Sequence, residues 1–376
     1  MKVVFVSRML NHHQKAFSEN MKKLCEYYFV ATEDTIGDGY QLSEEAEYVV
    51  HWYRDQEKDL VRKLVYDADV VIFGSDPKEL VELRMNENKL SFIYCERFFK
   101  KGTWRRFIPT THKKLDEKIL RFKKKEMYVL CASAFLPYDL SLLKFPTEKC
   151  FKWGYFPEMK KYENIEQMIS NKNPNSIIWV ARFIDWKHPE IAVKIARRLK
   201  SDGYEFELNM IGNGIMFDNM KKKVLSLGLE NEVHLLGAMK PEEVRKHMEK
   251  SEIHIFTSDR HEGWGAVLNE SMNSACAVVA NKAIGSAPFL IDDGENGFLY
   301  RNIDDLYEKV KALLENDMMR KTIAKNAYNK IAEYWNAESA AKRLIALCEA
   351  LLDGQSTDLY QDGPCSKAEI LKDNWK

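Results

Sequence analysis

Short apolar runs alternate with charged segments throughout the first 160 residues. The runs are rich in β-branched and aromatic residues and mostly apolar along their length, which is typical of strands buried on both faces of a parallel sheet. The predicted strands cover residues 3–6, 28–31, 70–73, 91–94 and 128–132. The charged segments between them, such as residues 57–67, have the spacing of amphipathic helices.

The same alternation begins again near residue 176. Predicted strands cover residues 176–180, 207–211, 232–235, 253–256, 277–280 and 297–299, and predicted helices cover 189–202, 216–227, 241–250 and 265–275. Strands that alternate with helices predict a doubly wound α/β sheet. Two such sets in tandem predict an α/β chain of two Rossmann-like domains that face each other across a cleft.

A polar, turn-rich segment at residues 164–175 predicts the boundary between the two domains. The first domain then covers residues 1–163 and the second covers 176–335. Residues 303–353 have an amphipathic helical pattern, and a short helix is expected at 367–372. We expect the terminal helices of residues 336–376 to pack back on the first domain.

The composition, with 45% hydrophobic and 30% charged residues, is that of a folded protein. The 57 basic residues balance the 57 acidic ones, so no nucleic-acid partner is expected. The seven cysteines are dispersed without a C-x-x-C pair, which favours reduced thiols and a cytoplasmic location. We find no signal-peptide pattern and no apolar stretch of about 18 residues, so any membrane contact is expected to be peripheral.

The most informative segment runs from Glu262 to Glu270, where a glycine-containing loop opens into a predicted helix. A helix N-terminus carries unpaired N–H groups and a partial positive charge, which suits a diphosphate. Gly263 and Gly265 let phosphates approach the backbone. Glu270, further along the helix, could bind ribose hydroxyls, while Glu262 reaches the sugar. The alternative is an ordinary N-cap loop with two solvated carboxylates.

Two cations follow the first predicted strand of the second domain. Arg182 and Lys187 stand after a strand end, where ligands of open α/β sheets bind. Because arginine engages phosphate oxygens bidentately and lysine acts as a point charge, the pair would neutralise a leaving diphosphate without a metal. Gly212 and Gly214 add a glycine turn at the next strand end. The alternative is that both cations are surface charges.

A polar loop with two adjacent histidines, His12 and His13, follows the first predicted strand. Such histidines can hydrogen-bond a donor sugar or an acceptor, and the alternative is a polar surface loop. They lack partners at zinc-ligand spacing, and we expect neither a metal nor a cofactor. The sequence also has no P-loop, no full dinucleotide-binding fingerprint and no Ser-His-Asp constellation, which disfavours kinases, dehydrogenases and hydrolases.

The stretch 97–125 contains twelve Lys or Arg residues and only two acids, with Trp104, Phe107 and Phe122 interleaved. A basic stretch that carries aromatic residues can rest on an anionic membrane surface. We therefore expect a peripheral membrane contact that admits a lipid-linked acceptor. The alternative is a solvated helix face.

Taken together, five segments of the second half resemble the retaining glycosyltransferases of family 4, which have the GT-B fold. The segments are in order and correctly spaced, and they cover residues 181–187, 211–214, 233–237, 262–270 and 293–298. Two positions depart from the family pattern. Trp264 replaces the usual phenylalanine, and residues 284–286 replace a commoner Gly-Gly pair.

The resemblance implies roles for individual residues. Arg182 and Lys187 hold the diphosphate, Glu262 contacts the sugar, and Glu270 binds ribose. Backbone N–H groups at the helix start touch phosphate, and glycines at two strand ends lie beside the nucleotide. These backbone positions are Gly265, Ala266, Val267, Gly212 and Gly237.

In the first half, residues 12–13, 96–98 and 153–156 resemble a bacterial subgroup that builds surface polysaccharides. Relatives often place a sugar-binding histidine where this chain has Glu96 or Arg97, so these two residues are expected on the sugar or acceptor side. The implied reaction transfers a sugar from a nucleotide-sugar (UDP-sugar first, GDP-sugar second) to a glycan or polyprenyl-linked acceptor. A nucleotide-sugar epimerase and a non-catalytic partner subunit of the same fold are the alternatives.

Overall fold

The computed structural model describes residues 1–34 and 46–372, and the chain divides into two units. The first unit combines Met1–Glu158 with Tyr334–Lys376, and the second is Met159–Glu333. Within the described ranges no helix combines the length and the apolar character needed to cross a bilayer.

The first unit is built on a seven-stranded sheet. Its strands are β1 (Lys2–Ser7), β2 (Glu26–Ala31), β3 (Val49–His51), β4 (Val70–Phe73), β5 (Ser91–Cys95), β6 (Met127–Cys131) and β7 (Cys150–Lys152). They pair in the order β3-β2-β1-β4-β5-β6-β7, all parallel. The connecting helices are α1 (His12–Leu24), α2 (Lys58–Asp67), α3 (Lys78–Asn86), α4 (Pro109–Lys118) and α5 (Leu136–Leu142). All four residues of β4 are buried, which explains why this strand is apolar along its whole length.

The second unit repeats this plan with six strands. They are β8 (Ser176–Val180), β9 (Glu207–Ile211), β10 (Val233–Gly237), β11 (Ile253–Phe256), β12 (Ala277–Asn281) and β13 (Phe298–Tyr300). The order is β10-β9-β8-β11-β12-β13, again all parallel. The helices are α6 (Ile165–Ser170), α7 (Pro189–Ser201), α8 (Phe217–Ser226), α9 (Pro241–Lys250), α10 (Val267–Asn273), α11 (Ala287–Leu290), α12 (Ile303–Glu315) and α13 (Asp317–Glu333).

The strand order places a topological switch point in each sheet. In the first sheet the chain leaves β1 to one side for β2 and to the other for β4. In the second sheet β8 is flanked in the same way by β9 and β11. Ligands of open α/β sheets bind outside the carboxyl ends of the strands at such a point. The loops after β1, β4, β8 and β11 are therefore the places to look for a site.

The predicted fold class is confirmed, because both units are parallel-sheet Rossmann-like domains. Two three-residue edge strands, β3 and β7, were not predicted, and a short helix predicted at residues 367–372 is wrong. Residues 365–368 instead extend the open edge of β7: the Lys152 N–H donates to the Ser366 carbonyl at 2.8 Å, and the Ala368 N–H donates to the Cys150 carbonyl at 3.0 Å. The last helix, α14 (Ala337–Leu352), packs against α1 of the first unit.

Candidate functional site

The loop after β8 supplies the two predicted cations of the second unit. Arg182 is exposed and, within the part of the chain that the structure describes, forms no ion pair; its guanidinium lies 5.9 Å from the Trp186 ring centre. Lys187 lies at the end of the helical turn Asp185–Lys187, with its ammonium 4.3 Å from the same ring centre. One cation is thus available to an anion from solution, and the other stands deeper in the same loop.

Lys187 pairs with Glu262, which lies in the loop after β11. The two side chains are 11% and 10% exposed, and the ammonium donates a hydrogen bond to the carboxylate. The structure therefore brings together a predicted phosphate ligand and a predicted sugar ligand from opposite sides of the switch point. A phosphate group that binds Lys187 must share it with Glu262 or displace it.

The chain between Glu262 and α10 is held tightly. Gly265 has a φ of +87°, and a Cβ at this position would lie 2.7 Å from the Phe256 ring, so only glycine is accommodated. Trp264 is fully buried and its indole N–H donates to Asn269 at 2.9 Å. Trp264, which stands where the family usually has phenylalanine, is therefore a core residue and does not contact solvent. Ala266 and Val267 follow at the start of α10.

Residues 284–286, the second departure from the family pattern, pack against this loop. The Gly285 N–H donates to the carbonyl of Glu262, and the Ser286 N–H donates to the carbonyl of Trp264, both at 3.3 Å. This segment therefore supports the backbone of the Glu262 loop from β12, whatever its part in ligand binding.

Glu270 lies on α10, one helical turn beyond that loop. Burial raises the pKa of its carboxyl, although the nearby Arg245 guanidinium lowers it. Arg245 is itself bonded to the Glu270 carbonyl at 3.4 Å and to the Asn273 side chain at 2.7 Å. Among the described residues the Glu270 carboxylate has no hydrogen-bond partner, so its oxygens are available to a ligand.

Glycines at two neighbouring strand ends have backbone conformations that suit few other residues. Gly212 has a φ of +137°, and a Cβ there would lie 1.9 Å from the Ala181 carbonyl oxygen. This glycine is required for the contact between the loops after β8 and β9. Gly237 has a φ of +77° with open space where a Cβ would lie, and the Gly212 N–H donates to its carbonyl at 2.8 Å. Their expected contacts with a nucleotide stay a prediction.

Two functional candidates in this unit were not predicted from the sequence. His188 contacts Glu190 through Nδ1 at 3.1 Å and Asp259 through Nε2 at 3.2 Å. His261 contacts the other oxygen of Asp259 at 2.8 Å. The only signal was proximity, because His188 follows Lys187 and Asp259 precedes Glu262 by three positions.

In the first unit the two histidines begin α1 at the carboxyl end of β1. The Asn11 side chain caps this helix by accepting from the His13 N–H at 3.0 Å. Burial lowers the pKa of His12, and burial together with His12 lowers the pKa of His13 to about 3. The His13 ring stacks on Tyr155 with centroids 5.5 Å apart. His13 is therefore a neutral imidazole held by an aromatic neighbour.

Glu96, after β5, joins the same group. Tyr155 donates its hydroxyl to Glu96 at 2.7 Å, and Lys100 donates to the other carboxylate oxygen at 2.5 Å. His13, Tyr155 and Glu96 thus form a polar chain at the carboxyl edge of the first sheet.

Arg97 is not part of that polar chain. Its side chain is fully buried and pairs at 3.0 Å with Asp139 of α5, which is equally buried. Asp139 also accepts from the N–H groups of Phe98 at 2.8 Å and Phe99 at 2.9 Å. The expectation that Arg97 faces a sugar or acceptor is wrong in this structure, because a buried carboxylate requires a partner and Arg97 is that partner.

The match to a family model falls on the second unit. Residues 160–330 match the model described as "Glycosyl transferases group 1". This segment contains all the candidate site residues of the second unit.

Two curated relatives are similar over parts of their length. The chain is 32% identical over 153 residues to the N-acetylgalactosamine-N,N'-diacetylbacillosaminyl-diphospho-undecaprenol 4-alpha-N-acetylgalactosaminyltransferase of Campylobacter jejuni, covering 40% of each. It is 25% identical over 300 residues to the poly(ribitol-phosphate) alpha-N-acetylglucosaminyltransferase of Staphylococcus aureus, covering 76% of this chain and 57% of that one. In both cases the chain spans less than two thirds of the relative's length.

A solved structure is similar over nearly the whole chain. Anabaena Alr3699/HepE, in complex with UDP, matches with a TM-score of 0.68 over 94% of this chain and 100% of its own, at 15% identity. A likeness at this identity concerns the fold alone. Residues 160–330 thus match the model of the group 1 glycosyltransferases, and the two Rossmann-like units of the chain have the GT-B fold.

Proposed function

We propose that this protein is a retaining glycosyltransferase of family 4 that moves a sugar from a nucleotide diphosphate sugar to an acceptor. The observation that carries the proposal is the arrangement at the second switch point. Arg182 is free of ion pairs within the described part of the chain, and Lys187 and Glu262 meet from opposite loops. The two cations can bind the oxygens of a diphosphate, and the carboxylate beside them can accept hydrogen bonds from the attached sugar.

In the proposed mechanism the acceptor hydroxyl attacks the anomeric carbon on the face from which the diphosphate leaves. The oxygen–carbon bond to the acceptor forms as the bond to the phosphate oxygen breaks, and that phosphate oxygen takes the acceptor's proton. Arg182, Lys187 and the N–H groups at the start of α10 stabilise the negative charge that develops on the diphosphate. No side-chain nucleophile is required, and the two cations would serve without a metal.

The comparisons support UDP-sugar as donor and a polymer or lipid-linked acceptor. Alr3699/HepE is described in complex with UDP, and the two curated relatives are named for undecaprenol-linked and poly(ribitol-phosphate) acceptors. We assign the donor to the second unit, with Glu270 on ribose, and the acceptor to His12, His13 and Glu96 of the first unit. The reaction would serve polysaccharide synthesis at the cytoplasmic face of the membrane.

Calorimetric titration with UDP, GDP and ADP tests the donor site. We expect UDP to bind most tightly, and we expect Arg182→Ala and Lys187→Ala each to weaken it about tenfold, the loss of one charge-assisted hydrogen bond. Lys221→Ala, an exposed cation on α8 of the same unit, is the matched control. UDP binding as tight in both site variants as in the wild type would contradict the assignment.

Incubation with UDP-sugars, with and without a polyprenyl-diphosphate glycan, tests the reaction. Acceptor-dependent release of UDP and a product whose anomeric proton signal shows the donor's configuration are expected. A sugar altered without any acceptor would indicate an epimerase. Binding without any turnover would indicate a non-catalytic subunit.

We further propose that residues 97–125 contact an anionic membrane. The helical turn Thr103–Phe107 exposes Trp104 by 59% and Phe107 by 73%, and Arg105 and Arg106 lie against these rings at 5.8 and 4.3 Å. Phe122 is buried and contributes nothing to this surface. Exposed aromatic residues beside arginines suit the lipid headgroup region.

Flotation with vesicles that contain anionic lipid tests this contact. The double variant Trp104→Ala/Phe107→Ala is expected to lose binding, and high salt to weaken it in the wild type. The control is Tyr66→Ala, an exposed aromatic residue with Lys89 against its ring. Flotation that is equal with neutral lipid, or equal in the double variant, would contradict the proposal.

A further inference from the structure

The loops after β8 and β11 are fastened together by more than the Lys187–Glu262 pair. The Asp259 N–H donates to the Trp186 carbonyl at 3.1 Å. The Thr257 hydroxyl donates to the Lys187 carbonyl at 2.6 Å. These two bonds fix the backbone that carries Lys187 to the backbone that leads to Glu262.

His188 provides the third connection, and its side chain bridges two carboxylates. Glu190, in the first turn of α7, lies 3.1 Å from Nδ1, and Asp259 lies 3.2 Å from Nε2. With both ring nitrogens facing carboxylates, the imidazolium is the form that satisfies both as donors. His188 also has a φ of +51° immediately before Pro189, a left-handed conformation that is uncommon outside glycine, although asparagine, aspartate and histidine adopt it more often than other residues.

The groups around His188 favour its charged form. Hydrogen bonds to Asp259 and Glu190 raise the pKa of the imidazole to about 9. Burial alone would raise the pKa of Asp259, but bonds from His188 and His261 lower it to about 2. Lys194 acts on Glu190 from the next turn of α7. The adjacent cation, Lys187, is engaged by Glu262.

We propose that His188 is a positioning residue. As an imidazolium bonded to both Glu190 and Asp259, it fixes the loop after β8 to the loop after β11 and so keeps Lys187 and Glu262 at their positions in the site. The inference rests on the proposed function only for its effect on turnover. A displacement of about 1 Å at a catalytic group costs on the order of a hundredfold in rate. Loss of this clamp between the two loops therefore lowers sugar transfer without removing any group that touches the donor.

The test variant is His188→Asn, because asparagine tolerates the left-handed backbone and carries no charge. His247→Asn, on α9 of the same unit, is the matched control. Hydrogen exchange followed by mass spectrometry reports on the clamp without any substrate. We expect the amide of Asp259 and its neighbours to lose protection at least tenfold in His188→Asn but not in His247→Asn. Unchanged protection would overturn the proposal, whatever the activity.

The pH profile separates clamping by charge from a merely structural role. Because the imidazolium is present below its pKa of about 9, wild-type kcat/KM for the donor is expected to fall as the pH rises from 8 to 10. His188→Asn should be about 10- to 100-fold less active at pH 7.5 and show no such fall. A variant within threefold of wild type, or one that keeps the same alkaline fall, overturns the proposal. Absence of turnover in the wild type would refute the glycosyltransferase function instead, since the exchange measurement needs no donor.

Discussion

Replacement of Glu262 by glutamine separates nucleotide binding from sugar transfer. In the structure the Glu262 carboxylate holds the Lys187 ammonium, and both side chains are nearly buried. A diphosphate that approaches Lys187 therefore competes with a carboxylate already in place. Glutamine keeps the size and one acceptor oxygen but removes the charge. We expect Glu262→Gln to bind UDP more tightly and to transfer sugar more slowly.

The size of the effect on binding follows from the ion pair. Two unit charges 4 Å apart attract by about 4 kcal/mol at an effective dielectric constant of about 20. Much of this is recovered when the released ammonium bonds to the glutamine carbonyl and to water, so we expect a net gain of about 1–2 kcal/mol. That corresponds to UDP binding tightened roughly 5- to 30-fold. Transfer is expected to fall about 100-fold, because a charge next to the reacting carbon is lost.

Calorimetry with UDP and a UDP-release assay at one ionic strength provide the measurement. Glu270→Gln is the matched comparison, since it changes a second carboxylate of the same segment that makes no ion pair within the described residues. It is expected to weaken UDP binding, by losing charge-assisted bonds to ribose. The essential result is that the two variants change the UDP affinity in opposite directions. If Glu262→Gln weakened UDP binding as Glu270→Gln does, competition between Glu262 and the diphosphate would be refuted.

Three further changes act on stability or on the site's backbone. Gly265→Ala is expected to lower the unfolding free energy by about 2–4 kcal/mol, because the backbone is strained and the new Cβ lies 2.7 Å from Phe256. A urea titration that gives the variant the same unfolding free energy as the wild type would contradict this. Lys172→Met should lower the unfolding free energy by about 3–5 kcal/mol, because the buried ammonium donates hydrogen bonds to four backbone carbonyls. The control is Lys250→Met, at an exposed position on α9, which should leave the unfolding free energy unchanged in the same urea titration. Burial lowers the pKa of His254 to about 3, so the unfolded chain, with a histidine pKa near 6.5, takes up the proton first, and acid destabilises the fold. Relative to His254→Leu, the wild type should lose about 2 kcal/mol between pH 7 and pH 5; parallel stability curves for the two proteins would refute this.

The interior of both sheets could be predicted from the sequence, and the edges could not. β4, β8, β9 and β11 begin and end where the sequence pattern predicted. β4 is buried at all four positions and is apolar along its whole length, as a strand buried on both faces must be. Edge strands have no such requirement. β3 has only one buried residue. Residues 365–368 pair with β7 from the far end of the chain, a contact that no local sequence pattern indicates.

Site residues that belong to a sequence motif could be predicted. Site residues whose positions depend on contacts between distant segments could not. Lys187 and Glu262 were predicted from separate motifs and meet in the structure. Arg97 was expected on the sugar or acceptor side because relatives often have a sugar-binding histidine at this strand end, but its side chain is buried against Asp139, 42 residues further along the chain. His188 and Asp259 were missed for the same reason, since their partnership is visible only after the two loops are folded together.

Both units anchor their site strands with a buried cation at the opposite end of the sheet. Arg84 donates to the carbonyls of Asp69 and Leu90, which lead into β4 and β5, at 2.6 and 2.9 Å. Lys172 donates to the carbonyls of Ser251 and Ser274, which lead towards β11 and β12, both at 2.8 Å. In each sheet these are the two strands beyond the switch point. Helix ends leave carbonyls unpaired there, and a cation satisfies several at once. Charge at the amino ends thus fixes β5 and β11, whose carboxyl ends lead to Glu96 and Glu262, together with their neighbours β4 and β12.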